Sequence, residues 1–118
     1  MITCLIMTSD LMLQSQVAQA AKSAGVTCRS AGAIDSLVEE ATSPDVKLVI
    51  VDLQSVAAET LAGMADQWQQ RAEPPVCIAV GPHVYKHLLE QGSKAGWFVM
   101  TRGQLHSQLG QRIHELLS

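Results

Sequence analysis

The run Leu48-Val49-Ile50-Val51 is apolar at every position and is closed by Asp52. A strand with one wet face alternates polar and apolar residues. A strand covered on both faces does not, so this run predicts a buried strand of a parallel sheet with helices packed on either side. Counted from Lys47 to Val51 it has strand length, as do Thr3 to Met7, Val76 to Val80 and Trp97 to Met100. A weaker fifth run spans Val26 to Ser30.

The segments between these runs carry helical spacing. Leu13, Val17, Ala20, Ala21 and Ala24 share one face, as do Ile34, Leu37, Val38 and Ala41. The pattern returns in Val56 through Leu61, Met64, Ala65 and Trp68, and in Leu105, Leu109, Ile113, Leu116 and Leu117. Tyr85, Leu88 and Leu89 predict a shorter helix before the last strand. Gly25, Ser43-Pro44-Asp45, Pro74-Pro75, Gly81-Pro82 and Gly96 fall between the periodic segments and punctuate them. The order is βαβαβαβαβα, which implies right-handed crossovers, one parallel sheet and a single domain over residues 1–118.

Composition narrows the function. Hydrophobic residues are 47% and aromatic residues 3% of the chain, so the core is aliphatic. A net charge of −3 with no concentrated Lys or Arg gives nucleic acid no footprint. Near the amino terminus only Cys4-Leu5-Ile6-Met7 is apolar, too short for a membrane span or signal peptide. Cys4, Cys28 and Cys77 form no Cys-x-x-Cys pair and read as buried free thiols in a reducing compartment. A cytoplasmic protein without membrane or nucleic-acid partners is expected.

In open parallel sheets, sites collect where the carboxyl ends of the strands meet the following loops. The residues there are Thr8, Ser9 and Asp10 after the first strand, Asp52 after the third, Val80 to His83 after the fourth and Thr101 to Gly103 after the fifth.

With that order and length, the segment Leu48-Val49-Ile50-Val51-Asp52-Leu53 resembles the receiver domain of two-component response regulators over nearly the whole chain. The resemblance implies a flavodoxin-like (CheY-like) doubly wound (βα)5 fold, with a five-stranded parallel sheet in the order 2-1-3-4-5. A receiver carries an acidic pair after its first strand and a phosphoacceptor Asp after the third. Thr or Ser follows the fourth strand, and Lys the fifth. Carboxylates hold Mg²⁺, the metal and Lys neutralise the phosphoryl oxygens, and one Asp attacks phosphorus.

Asp52 matches the phosphoacceptor. Thr8 and Ser9 stand at the acidic pair, with Asp10 one place beyond. Val80 replaces the switch hydroxyl, Phe98 takes the aromatic switch position, Thr101 replaces the Lys, and Arg102 replaces the Pro that usually follows it. Arg102 alone restores a positive charge. The implied protein is a degenerate, stand-alone receiver, a pseudo-receiver. It is not an enzyme, has no cofactor or metal, and works in signalling by binding a protein partner such as a signalling protein or kinase.

The resemblance puts the partner face, or a homodimer, on the fourth helix, fifth strand and fifth helix, with Tyr85, Leu88 and Trp97 contributing. Trp97 reads either as an exposed anchor or as core packing. One alternative keeps the chemistry, with Asp52 accepting phosphate from a histidine kinase, Asp10 as metal carboxylate and Arg102 as cation. A second is a small-molecule sensor using the space left by the acidic pair.

Other motifs carry less. Asp52 after a buried strand also suits a turn cap, and Asp10 suits the N-cap of the first helix. His83 and His87 are four apart, but no third ligand is near. His106 and His114 lie on a polar helix face. Cys4 is followed by three apolar residues, unlike a phosphocysteine that opens a phosphate loop, and neither a dinucleotide nor a P-loop motif occurs.

Overall fold

The computed structural model describes residues 3–82, 84 and 86–116. His83 and Tyr85 lie outside them, and with Tyr85 one member of the expected partner face. Ten elements alternate: β1 (Thr3–Met7), α1 (Leu11–Ser23), β2 (Thr27–Ser30), α2 (Ile34–Glu40), β3 (Val46–Asp52), α3 (Ala58–Trp68), β4 (Val76–Gly81), α4 (Lys86–Lys94), β5 (Phe98–Thr101) and α5 (Arg102–Leu116). The strands form one parallel sheet in the order β2-β1-β3-β4-β5. The doubly wound expectation therefore holds in element order, strand order and direction.

The central strand explains the two-layered core. Side chains along a strand point alternately to opposite faces. Leu48 and Ile50 therefore join Cys4, Ile6, Ile78 and Met100 under α1 and α5. Val49 and Val51 join Leu5 and Ala79 under α2, α3 and α4. Three helices present the face their spacing predicts: Leu13, Val17 and Ala21 from α1, Leu105, Leu109 and Ile113 from α5, and Leu61, Met64 and Trp68 from α3. Among the described residues, no helix is long and apolar enough to cross a membrane.

Two helices end in the same device. After α1, Gly25 takes φ 77°, its N–H donates to Lys22 O (3.1 Å), and the Val26 N–H donates to Ala21 O (2.8 Å). After α4, Gly96 takes φ 90°, its N–H donates to Ser93 O (3.0 Å), and the Trp97 N–H donates to Gly92 O (3.3 Å). This is the left-handed glycine termination in which the next residue is apolar and folds back on the helix. Val26 and Trp97 are both buried.

Trp97 is therefore not the exposed anchor that a partner face would need. It is 3% exposed, its indole N–H donates to Leu61 O (2.9 Å), and its ring lies 6.0 Å from that of Trp68 at 57°. Trp68 in turn donates to Val38 O (3.3 Å), so both indoles enter the core with their polar atoms satisfied.

Candidate functional site

Side-chain parity selects what meets at the carboxyl ends of the strands. Thr8 continues the Cys4 and Ile6 face of β1, Asp52 the Leu48 and Ile50 face of β3, and Val80 the Ile78 face of β4, so all three point toward α1 and α5. Asp52 pairs in register with Val80. The fifth strand passes into α5 without a loop, which puts Arg102 at the first helical position above the same ends.

Asp52 is 2% exposed, and both carboxylate oxygens are engaged. Oδ1 accepts the Gln54 N–H (2.9 Å), which makes Asp52 the cap of its own turn. Oδ2 accepts the Thr8 hydroxyl (2.7 Å) and Arg102 Nη2 (3.4 Å). Thr8 Oγ1 also accepts the Asp10 N–H (3.0 Å).

Asp10 caps α1 through Oδ1, which accepts from Met12 N (2.9 Å) and Leu13 N (3.3 Å). Its Oδ2 takes the Arg102 Nη1 donor in a short ion pair. The Arg102 hydrogen bond, first, and the Leu13 and Met12 amides after it hold the Asp10 carboxyl below the usual aspartate range, against a smaller opposing effect of desolvation. Arg102 Nη2 also donates to Gln54 Oε1 (3.0 Å). One guanidinium thus bridges Asp10, Asp52 and Gln54, from a side chain that is 31% exposed.

Thr101 and Gln104 fasten the start of α5. Gln104 N donates to Thr101 Oγ1 (3.1 Å) and Thr101 N donates to Gln104 Oε1 (2.9 Å), a reciprocal capping box. The motif Thr101-x-x-Gln104 carries that signal in plain sight. Ser9 meets Ser55 across the neighbouring loops, Oγ to Oγ at 3.2 Å. Gln54 and Ser55 do not stand out in the sequence, because polar residues after a strand look alike whether they face solvent or the site.

Among solved structures the fold has close counterparts at low identity. A response regulator from Thermotoga maritima superposes with TM-score 0.76 at 15% identity, covering 98% of this chain and 97% of the other. A chain of the complex between the Saccharomyces cerevisiae histidine phosphotransfer protein Ypd1 and the receiver domain of its response regulator Ssk1 gives 0.77 at 18%, covering 98% and 88%. A CheY-like protein, tadZ, from Pseudomonas aeruginosa gives 0.74 at 15%, covering 98% and 93%. No family model matches the sequence, and no curated protein matches it.

The chain has the receiver fold.

Within that receiver frame, the residues present do not fit a Mg²⁺ site. Thr8 and Ser9 bring hydroxyls where two carboxylates are needed, and the Arg102 guanidinium already bridges the remaining pair, Asp10 and Asp52. Among the described residues, no three His, Cys, Asp or Glu side chains are grouped to hold a metal ion. Val80 is fully buried and offers Asp52 an apolar neighbour where a receiver's switch would offer a hydroxyl.

On β5, Phe98 is 47% exposed with Arg112 stacked 4.4 Å from its ring centroid. Leu88 is half-buried against the α2, α3 and α4 layer.

Proposed function

We propose that this receiver-fold chain is a pseudo-receiver that acts in signal transduction by binding another protein, with Asp52 serving as a structural hub and not as a phosphoacceptor. The observation that carries this reading is the Arg102 bridge to Asp10, Asp52 and Gln54. Phosphoryl transfer of the receiver kind relies on placing charge, and catalysis of that kind depends on groups aimed at the transferring phosphoryl. Here the fixed cation is spent on the carboxylates themselves. Asp52 is buried, and its oxygens already accept from three donors, Thr8 and Arg102 on Oδ2 and the Gln54 amide on Oδ1, so an attack on phosphorus would have to displace part of this set. The chain is then no enzyme and needs no cofactor.

The partner would be a signalling protein or kinase, or a second copy of the chain, meeting α4, β5 and α5. Exposed Phe98 under Arg112 replaces Trp97 as the aromatic contact, since an aromatic ring with a stacked guanidinium offers both area and charge.

Acetyl phosphate or beryllofluoride with Mg²⁺, followed by intact mass and amide NMR, tests this reading. The expected result is an unmodified mass and unmoved Thr8, Gln54 and Arg102 signals. Stoichiometric phosphorylation with shifts centred on Asp52 would establish the alternative, a phosphorylatable receiver with Arg102 as its cation.

A further inference from the structure

Strands β1 and β2 run parallel, and their register sets Cys4 directly opposite Cys28. Neighbouring strands lie about 4.8 Å apart, within the separation of roughly 4.4–6.8 Å between Cα atoms that a disulfide spans. The two side chains also share a face: Cys4 belongs to the apolar cluster under α1 and α5, and Cys28 packs against that cluster. Cys4 is buried, whereas Cys28, on the edge strand, is half-buried. A fully buried thiol is thus paired with one at the sheet edge that is only half-buried.

The two thiols are also unequal in acidity. The Cys4 S–H donates to Leu5 O (3.9 Å), and the adjacency of the two thiols holds Cys28 below the ordinary thiol range and, together with burial, raises Cys4 above it. Cys77 has no such neighbour. Burial pushes its thiol up to about 12, and its sulfur faces Pro75 O at 3.6 Å.

We propose that Cys4 and Cys28 are a redox-active dithiol, which a hydroperoxide converts into a disulfide between β1 and β2, with Cys28 as the attacking sulfur. The Cys28 thiolate attacks one peroxide oxygen. An S–O bond forms as the O–O bond breaks, and hydroxide (from hydrogen peroxide) or alkoxide (from an organic hydroperoxide) leaves with the electron pair and takes up the proton that Cys28 had released. The Cys28 sulfur is now a sulfenic acid, oxidised by two electrons, and the peroxide is reduced. The Cys4 sulfur then attacks the Cys28 sulfur. The S–S bond forms as the S–O bond breaks, and the departing hydroxyl carries the Cys4 proton away as water. A dithiol reductant reverses the bond by exchange.

Trypsin makes the test direct, because cleavage after Lys22, Arg29, Arg71 and Lys86 places Cys4, Cys28 and Cys77 on peptides 1–22, 23–29 and 72–86. The folded chain is exposed to a small excess of hydrogen peroxide, alkylated and digested without reduction. The expected product has lost two hydrogens per chain, links peptide 1–22 to 23–29, leaves Cys77 alkylated and reverts with dithiothreitol. In concentrated urea the same exposure should lose this selectivity, with links to Cys77 appearing. The variant Cys4→Ser should carry Cys28 on to sulfinic acid. Should that core variant fail to fold, Cys28→Ser, at the sheet edge, should leave Cys4 reduced. Wild-type protein that yields sulfinic Cys28 beside free Cys4, or links through Cys77 or between chains, would overturn the proposal.

Discussion

Two arginines stand at opposite ends of the central strand, and they bind different kinds of acceptor. At the amino end, Arg71 Nη1 donates to Ala41 O and Val46 O, each at 2.9 Å, and ties the turn before β3 to the chain leaving α3. At the carboxyl end, Arg102 meets the carboxylates of Asp10 and Asp52. Both guanidinium groups act as straps. Only Arg102 neutralises charge, and one of its partners is a carboxylate almost wholly removed from water. A guanidinium on carbonyls can be lost at the cost of its hydrogen bonds, whereas one on a buried carboxylate leaves an uncompensated anion behind.

The sharpest way to break this comparison is to remove each strap. Arg102→Met should cost about 1–3 kcal/mol of stability, since Asp52 keeps only neutral donors. Adding Asp52→Asn should recover part of that loss, a coupling of about 1 kcal/mol. Urea denaturation followed by circular dichroism measures both, and additive effects in the double variant would show that the two side chains do not interact. Arg71→Met should cost less, about 1–2 kcal/mol, with no recovery from any carboxylate substitution. Thr101→Ala removes one arm of the capping box that aims Arg102 and should cost about 1 kcal/mol. In the Arg102→Met background the same change should cost the cap alone, so a larger loss in wild type than in that background reports the aiming.

The smallest effect separates the ends by acid. The folded-state pKa of Asp10 is depressed, first by Arg102. A depressed carboxyl contributes stability that is complete above the unfolded value of about 3.9 and is lost as pH falls through the folded value. Between pH 5 and pH 2 the urea midpoint of wild type should therefore drop further than that of Arg102→Met. Arg71→Met should keep the wild-type slope, because its carbonyl partners do not titrate. Equal slopes in all three proteins would remove Asp10 from the account.

Much of the fold was legible because hydrophobic period reports secondary structure directly. The unbroken Leu48 to Val51 run has the length and pattern of a strand covered on both faces, and it is the middle strand of the sheet. The positions of Asp10 and Asp52 at strand ends were legible for the same reason, as was the chance that Arg102 supplies the cation. Of the two readings open to Trp97, exposed anchor or core packing, the structure takes the second. Gly96-Trp97 repeats Gly25-Val26, and that shared pattern marks a helix termination whose apolar follower turns inward. The capping box is also written in the sequence, as Thr101-x-x-Gln104 at the start of α5.

By itself, then, the amino-acid order determined which segments are strands and helices, which faces they bury and where the few polar residues fall along them. Those properties follow from neighbours three or four residues apart. That Arg102 reaches Asp10, 92 residues earlier, and Asp52, 50 residues earlier, was decided by the tertiary structure alone. So was the meeting of Cys4 with Cys28. Ion pairs and thiol pairs act over a few ångströms, and only the crossovers that set β1, β3 and β5 in one sheet, with β2 at its edge, bring such distant residues within that range.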